Sequence, residues 1–196
     1  ERIYVTGTPV VDVLELDKAE EYAVEGRRKL DIEEKTIAVL YLGDISGAHK
    51  QLGYTTDERI NEMTFELTLE ALKKLATEDQ NRKLVLLLRP HPRDPNKEEL
   101  LEMVERFQEG LPSNFSVIPA TDYSQMGMQE TRYASDVVLS IVSTENFLTA
   151  IRNRPAIFLG YDNTGLGKVV LEQIYGKEHL GVISNYPNLS VASSPD

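Results

Sequence analysis

The stretch Lys83–Asp94, KLVLLLRPHPRD, decides the fold class of this 196-residue chain. Its first part is an almost unbroken apolar run, which is typical of a parallel strand that is buried on both faces. The two prolines that follow lack a backbone N–H, so the strand Leu84–Leu88 is predicted to end there. Arg89 and His91 are therefore placed at the carboxyl edge of the sheet, where open α/β sheets bind their ligands.

The rest of the chain alternates apolar runs with amphipathic segments, which is the pattern of βαβ units. The other predicted strands are Thr36–Leu42, Phe115–Ile118, Asp136–Val142, Ala156–Tyr161 and a short Gly181–Ser184. The predicted helices are a charged surface helix, Ala19–Leu30, and then Asp57–Ala76, Asn96–Gln108, Met126–Ala134, Thr144–Arg152 and Lys168–Tyr175. The fold class is therefore predicted as α/β, with a doubly wound, Rossmann-like parallel sheet flanked by helices.

The two ends of the chain are less regular. Arg2–Val5 is predicted as a strand and Pro9–Leu16 as a short helix. The tail, Asn185–Asp196, shows no packing pattern and is predicted to be loose. The chain begins with Glu1 rather than methionine, so we expect it to be a piece of a longer protein.

Composition excludes several classes of function. A net charge of -11 argues against a general nucleic-acid binder, which needs a basic face. Because the chain has no cysteine, disulfides and thiolate metal sites are excluded, and the three histidines share no ligand spacing. No apolar run approaches the roughly 20 residues of a transmembrane helix. We expect no metal, no other cofactor and a cytoplasmic location, with peripheral attachment to a membrane as an alternative.

Arg89 and His91 are the predicted catalytic pair. A fixed cation beside a group that donates or accepts protons suits a phosphate or a diphosphate. The alternative is a surface pair without function, but a position directly after a buried strand, between two prolines, favours a site.

The loop Gly43–Tyr54 follows the first core strand and is predicted to bind the ligand. Its glycines, Gly43 and Gly47 among them, allow close approach of the backbone, and the helix beyond the loop attracts anions. The motif matches neither GxGxxG nor a P-loop, so a long solvated loop is the alternative. A loop of about 12 residues is uncommon in a compact domain unless it binds something.

Ser143, Thr144 and Glu145 follow the fourth core strand and are also predicted to bind the ligand. The two hydroxyl groups and the free N–H groups of a helix start form an acceptor site of phosphate size, while Ser143 is expected to cap the helix. Glu145 either complements the helix dipole or, if it faces the ligand, repels phosphate or holds a sugar hydroxyl.

Two further strand ends give weaker predictions. Thr121 and Asp122, in PATDY after the third strand, are placed where backbone amides can read a nucleobase, although an ordinary turn has the same sequence. The segment Asp162–Gly167 after the fifth strand suits a sugar or phosphate, but a structural turn explains its glycines equally well.

Several segments together resemble a known family. Ile3–Asp12 (IYVTGTPVVD) is similar to the start of the C-terminal half of GT-B-fold proteins, which are sugar-nucleotide enzymes with two Rossmann domains. Arg89–Pro92 resembles the histidine-proline motif of bacterial polysaccharide transferases, and Met128–Ser140 resembles the helix and strand before the donor site. Ser143 and Thr144 match the serine-glycine pair that contacts donor phosphate, and Arg154–Ile157 matches the approach to the next strand.

The resemblance implies one nucleotide-sugar-binding domain over residues 1–196, in which residues 1–16 form a linker-like opening segment. It implies a glycosyltransferase that moves a sugar from a nucleotide diphosphate donor, UDP-type first, to an acceptor in polysaccharide or glycoconjugate synthesis. The N-terminal half of such an enzyme is then missing from this chain. Thr149 stands where the family commonly has a glutamate for the ribose, which leaves that contact open or shifts it to Glu145.

Two other functions stay open at this point. One is a non-hydrolysing UDP-N-acetylglucosamine 2-epimerase, a group that shares the opening segment. The other is a non-catalytic module that binds a nucleotide or a phosphate and regulates a partner.

Overall fold

A computed structural model describes residues 16–45, 59–122, 124, 126–141, 143–160 and 187–192. These residues contain one sheet of six parallel strands in the order β3-β2-β1-β4-β5-β6. The strands are β1 (Ile37–Leu42), β2 (Leu84–Arg89), β3 (Phe115–Pro119), β4 (Val137–Ser140), β5 (Ala156–Leu159) and β6 (Leu189–Ala192). The predicted doubly wound parallel sheet is confirmed.

Five α-helices flank the sheet within the described ranges. They are α1 (Ala19–Lys29), which follows a 3-10 turn at Leu16–Lys18, α2 (Ile60–Glu78), α3 (Lys97–Gln108), α4 (Met128–Ala134) and α5 (Thr144–Ile151). Each agrees with a predicted helix to within a few residues. The predicted elements at residues 2–5, 9–15, 168–175 and 181–184 lie outside the described residues.

The strands alternate their side chains between two apolar cores. In β1, Val39 and Tyr41 pack with residues of α2 and α3, whereas Leu40 and Leu42 belong to the core that includes Met128 and Phe147. This alternation is the period of two that an extended strand imposes. Every residue of β2 is buried, as expected for a strand that has helices on both of its faces.

The charged helix α1 lies on the surface, but it is firmly attached to α4. A Cβ atom added to Gly26 would lie only 2.4 Å from the carbonyl oxygen of Glu130, so the two helices approach as closely as they do because Gly26 has no side chain. Lys29 pairs with the Glu130 carboxylate at 2.6 Å, and this hydrogen bond lowers the pKa of Glu130. Tyr22 also stacks on Tyr133.

The prediction of a loose tail is wrong for residues 189–192. These residues form β6, which pairs with β5 in parallel, and the N–H of Ala156 donates to the carbonyl of Asn188 at 2.8 Å. The strand is four residues long and only Leu189 is buried, so it has almost no hydrophobic pattern. Backbone pairing with an open sheet edge, rather than side-chain periodicity, orders this segment.

The strand order of the sheet reverses at β1, because later strands are added on both sides of it. The chain adds β2 and β3 on one side of β1 and β4, β5 and β6 on the other, so the reversal lies between β1 and β4. In open α/β sheets, ligands bind outside the carboxyl ends of the strands at such a reversal. None of the helices in the described ranges has the length and apolar character needed to cross a membrane.

Candidate functional site at the carboxyl edge of the sheet

Three strand ends meet at the point where the sheet reverses. Leu42 at the end of β1 is level with Arg89 of β2 on one side and with Ser140 of β4 on the other. Because neighbouring strands lie about 4.8 Å apart, β2 and β4 flank β1 at a separation of roughly 10 Å. The residues that follow these three strands therefore share one edge of the sheet.

Gly43 joins the first two of these strand ends. Its N–H donates to the carbonyl of Arg89 at 3.0 Å, and an added Cβ would lie 3.0 Å from the Cα of Pro90. A larger residue at this position would push the ends of β1 and β2 apart. Gly47 and the other residues of the predicted binding loop from position 46 to 54 lie outside the described residues, so their role stays a prediction.

The guanidinium of Arg89 is buried, with 7% of the residue exposed. It donates to the hydroxyl of Thr131 at 3.0 Å and to the carbonyl of Met126 at 3.3 Å, and the carbonyl of Ala120 lies 3.5 Å away. These acceptors belong to α4 and to the loop between β3 and α4. The side chain therefore braces that loop, and its contact with a diphosphate stays a prediction.

His91 is half-buried and fixed by its own turn. Its Nδ1 accepts a hydrogen bond from the N–H of Arg93 at 3.1 Å, and its carbonyl accepts one from the N–H of Asp94 at 2.9 Å. Since Nδ1 is an acceptor, the neutral ring carries its proton on Nε2. His91 therefore presents a hydrogen-bond donor beside the reversal of the sheet.

A buried amide that the sequence analysis missed organises this part of the edge. Asn61, with 1% of the residue exposed, donates to the carbonyl of Asp44 at 2.8 Å and to the carboxylate of Asp94 at 3.2 Å. Its own Oδ1 accepts from the N–H of Asp44 at 3.1 Å, and its carbonyl accepts from the hydroxyl of Tyr41. Asn61 thereby links the residues after β1 to the turn that holds His91.

Ser143 caps α5, as predicted. Its hydroxyl accepts from the N–H of Glu145 at 3.2 Å, and its carbonyl accepts from the N–H of Asn146 at 3.2 Å. Thr144 is exposed, and its N–H has no acceptor among the described residues. The N–H of Thr144 and two hydroxyl groups are thus the donors that this helix start offers to an anion.

A second buried amide holds the start of α5 on the sheet. The hydroxyl of Ser140 donates to Oδ1 of Asn146 at 3.0 Å, and the Nδ2 of Asn146 donates to the carbonyl of Ile157 at 3.0 Å. These bonds tie the first turn of α5 to both β4 and β5. The sequence gives no sign of this role, because Asn146 reads as an ordinary polar residue of a short helix.

Glu145 faces α4, where it forms an ion pair with the buried guanidinium of Arg132. Arg132 also donates to Oε1 of Gln129 at 3.1 Å, and the same oxygen accepts from Arg152 at 3.0 Å. Arg152 stacks on the ring of Tyr133 at 3.9 Å. Burial, followed by the charge of Arg132, lowers the pKa of Arg152 to about 10, so Arg152 is still protonated at neutral pH.

Thr121 and Asp122 follow β3, the outermost strand on their side of the sheet. The carboxylate of Asp122 accepts from the N–H of Ser124 at 3.2 Å and from its hydroxyl at 2.6 Å. This geometry is that of a turn, and it lies two strands away from β1. Their contact with a nucleobase stays a prediction, and residues 162–167 lie outside the described residues.

A hollow of about 210 Å³ lies at the opposite end of the strands. It is bordered by Thr36, Lys83 and Asn114, which directly precede the strands β1, β2 and β3. In this fold class the ligand occupies the carboxyl edge, so we do not assign the candidate site to this hollow.

Glu62 is a buried acid close to the site. Only 2% of the residue is exposed, and neither carboxylate oxygen has a hydrogen-bond partner among the described residues. Burial raises the pKa of Glu62 above its ordinary value of 4.5, and the carboxylates of Glu99 and Asp94 raise it further, whereas Arg59 opposes this. The folded protein therefore binds the proton of Glu62 more tightly than the unfolded chain does.

Glu62→Gln is expected to stabilise the protein at neutral pH. Because the folded-state pKa is raised, the contribution of Glu62 is most favourable below pH 4.5 and is lost as the pH rises through the raised pKa. The substitution should remove this loss and add about 1 kcal/mol, or about 2–4 °C in Tm, at pH 7–8. Thermal unfolding from pH 4 to pH 8 measures it. Glu66→Gln, on the exposed face of the same helix, is the control, and an advantage that is equal at every pH contradicts the interpretation.

Comparison with known proteins places this geometry in a fold family. No protein-family model matches the chain, and no curated protein sequence matches it significantly. A structure of the wall teichoic acid polymerase TagF is 25% identical with a TM-score of 0.52, covering 85% of this chain and 35% of that one. A histidine-to-alanine variant of TagF is 22% identical with a TM-score of 0.55, covering 99% and 40%.

A third similar structure is the UDP-GlcNAc 2-epimerase from Neisseria meningitidis bound to UDP-GlcNAc. It is 15% identical with a TM-score of 0.52, covering 93% of this chain and 48% of that one. The chain thus spans less than half the length of each of these three proteins. The fold is that of a Rossmann-like α/β domain, and more narrowly that of a GT-B-like domain, one half of the two-domain GT-B fold. The predicted resemblance to this fold is confirmed.

Proposed function

We propose that this chain is the donor-binding half of a glycosyltransferase that uses a nucleotide diphosphate sugar. The observation that carries the proposal is the gathering of Gly43, His91, Ser143 and Thr144 at the reversal point of the sheet. Close backbone approach, a fixed proton donor and a helix start with available donors are the groups that a diphosphate requires. The likeness in fold to TagF and to the epimerase supports this direction.

In this proposal each group has a separate role. Thr144 and Ser143 hold a phosphate at the start of α5, where the helix dipole also favours negative charge. The Nε2–H of His91 donates to the leaving diphosphate as the bond to the sugar breaks, which stabilises the charge that develops there. The reaction then needs no metal ion, and UDP-linked sugars are the first donors to test.

The enzyme would be completed by a second domain. Because the chain covers 35–40% of the TagF structures, we propose a second Rossmann-like domain as its partner, with the acceptor bound in the cleft between them. TagF is a polymerase of a wall polymer, which favours polysaccharide or glycoconjugate synthesis as the setting. A structure of TagF was also obtained with CDPG, so CDP-linked donors belong in the panel.

Thr144→Asp separates ligand binding from stability. A carboxylate in the first turn complements the helix dipole, so this variant should be as stable as the unchanged chain or about 0.3–1 kcal/mol more stable. The same carboxylate repels a phosphate, so the affinity for UDP and CDP should fall at least tenfold. Calorimetric titration and thermal unfolding of the 196-residue chain measure the two effects.

Thr144→Ser is the matched control, because it keeps the hydroxyl group and the N–H and should bind within about twofold of the unchanged chain. Uridine, which has no phosphate, should bind both variants equally. The proposal is wrong if neither the chain nor the full-length protein that contains it binds any of UDP, CDP, GDP or their sugars.

Epimerisation is the second candidate, supported by the likeness in fold to the Neisseria enzyme. The two functions differ in the bond that is broken. An epimerase removes and returns the proton at C2, so incubation of the full-length protein with UDP-N-acetylglucosamine in deuterated water would place deuterium at C2. A glycosyltransferase leaves that position unlabelled.

A further inference from the structure

Arg132 is a buried cation next to the proposed phosphate site that the sequence analysis did not identify. It lies on α4, with 7% of the residue exposed, and pairs with Glu145 in the first turn of α5. We propose that Arg132 is a positioning residue that holds the Glu145 carboxylate and neutralises its charge, so that the start of α5 accepts a diphosphate. This inference rests on the proposed function and adds a specific source of positive charge to it.

Glu145 lies in the first turn of α5, next to the proposed phosphate contact. Its N–H donates to the hydroxyl of Ser143, and it directly follows Thr144, so the residue belongs to the turn that would hold the phosphate. The N-terminus of a helix stabilises a carboxylate as well as a phosphate. When both anions lie at the same N-terminus, they repel each other. An unpaired Glu145 would therefore oppose the ligand.

The side chain of Glu145 is directed towards α4. One carboxylate oxygen of Glu145 is buried and contacts the guanidinium of Arg132, which lies across the contact between α4 and α5. The Nε of Arg132 has no hydrogen-bond partner among the described residues. Arg132 is therefore bound through its terminal nitrogens to Gln129 and to Glu145, and Glu145 is the acidic residue that pairs with it in the described part of the chain.

A second guanidinium group, that of Arg152, also lies close to the Glu145 carboxylate. Arg152 lies on the same side of α5 and shares the acceptor oxygen of Gln129 with Arg132, so two guanidinium groups face one carboxylate. Among the described residues, the contact between α4 and α5 thus brings two guanidinium groups and one carboxylate together in a chain whose net charge is -11. Arg89, by contrast, donates to the carbonyl of Met126 and to the hydroxyl of Thr131.

A double-mutant cycle tests the inference. The 196-residue chain and the variants Arg132→Met, Glu145→Gln and the combination of both are titrated with UDP, UMP and uridine. Arg132→Met should weaken UDP binding at least tenfold, UMP binding less and uridine binding not at all. Glu145→Gln should bind UDP within threefold of the unchanged chain or more tightly, and the double variant should recover to within threefold.

Glu145→Asp provides a second variant in case Arg132→Met does not fold. The shorter side chain keeps the negative charge in the first turn but withdraws it from Arg132, so it should also weaken UDP more than uridine. A structural role alone would lower the affinity for all three ligands equally and would not be rescued by the double variant.

The outcomes distinguish the two proposals. If the unchanged chain and the full-length protein bind neither UDP nor any other nucleotide of the panel, the proposed function is wrong, and this inference with it. If the unchanged chain binds UDP and the affinity is the same in Arg132→Met and in Glu145→Asp, the proposed function stands and this inference alone is wrong.

Discussion

Replacing His91 with asparagine should lower the rate of sugar transfer by about 10²–10⁴-fold, the range that a positioned acid or base contributes. The Oδ1 of asparagine takes the place of Nδ1 of the imidazole, so it can still accept the N–H of Arg93 and keep the turn. The donor at Nε2 is lost. We therefore expect the melting temperature to stay nearly constant, while kcat for transfer from the nucleotide diphosphate donor falls. The assay uses this chain together with the second domain proposed above.

Two further variants complete this test. His91→Ala removes both the turn acceptor and the donor, so it should lose the same activity and some stability as well. Arg93→Ala removes an exposed charge beside His91 but keeps the backbone N–H that fixes the ring, so its rate should stay within about threefold. If His91→Asn transfers sugar at the unchanged rate, His91 serves the turn alone and the catalytic prediction is wrong.

The parts of the fold that the sequence predicts are those where burial leaves a pattern. β2 is buried at every position, and its apolar run together with the prolines after it predicts both the strand and its end. Ser143 before an apolar helix predicts the cap that is found at α5. The polar residues that directly follow successive strands also predict that the candidate site lies at the carboxyl edge of the sheet. All of these are local signals, readable from a few consecutive residues.

The remaining features depend on contacts between segments that are far apart in the sequence. Asn61 and Asn146 bind backbone groups of other elements, and Arg132 pairs with a residue in the next helix. The order of β6 comes from pairing with β5 rather than from its own side chains. Residue type and spacing do not encode such partners, because a polar residue looks the same whether it faces water or a buried acceptor.

Arg89 lies between these two cases. Its position at the end of β2 can be predicted from the sequence. The direction of its side chain follows from the alternation within β2, but only once the topology shows which helices cover each face of the sheet. Val85 and Leu87 belong to the core beneath α4 and α5, whereas Leu86 and Leu88 belong to the core beneath α2 and α3. Arg89 continues the first series, so it points towards α4 and meets Thr131 there.

Arg89→Met should lower the free energy of unfolding by about 2–4 kcal/mol, because it leaves the acceptors in the loop between β3 and α4 without their buried donor. The carbonyl of Met126 loses both of its bonds from the guanidinium, and the Thr131 hydroxyl keeps only its bond to the carbonyl of Gly127. Arg89→Lys should lose less, since an ammonium group replaces some of the bonds but not the planar fork. Urea unfolding of the chain without ligand measures both changes.

Arg82→Met is the matched control for the loss of one arginine. Arg82 is exposed and pairs with Asp79 at the surface, so its removal should change the stability by no more than about 0.5 kcal/mol.

The stability and the UDP affinity of the Arg89 variants together decide between the two roles of Arg89. If Arg89→Met unfolds at the same urea concentration as the unchanged chain but binds UDP more weakly, the guanidinium binds the diphosphate, as the sequence predicts, rather than bracing the loop. If Arg89→Met loses stability as predicted while Arg89→Lys binds UDP normally, the positive charge at the phosphate does not come from Arg89. Arg132 is then the buried cation next to the proposed phosphate site.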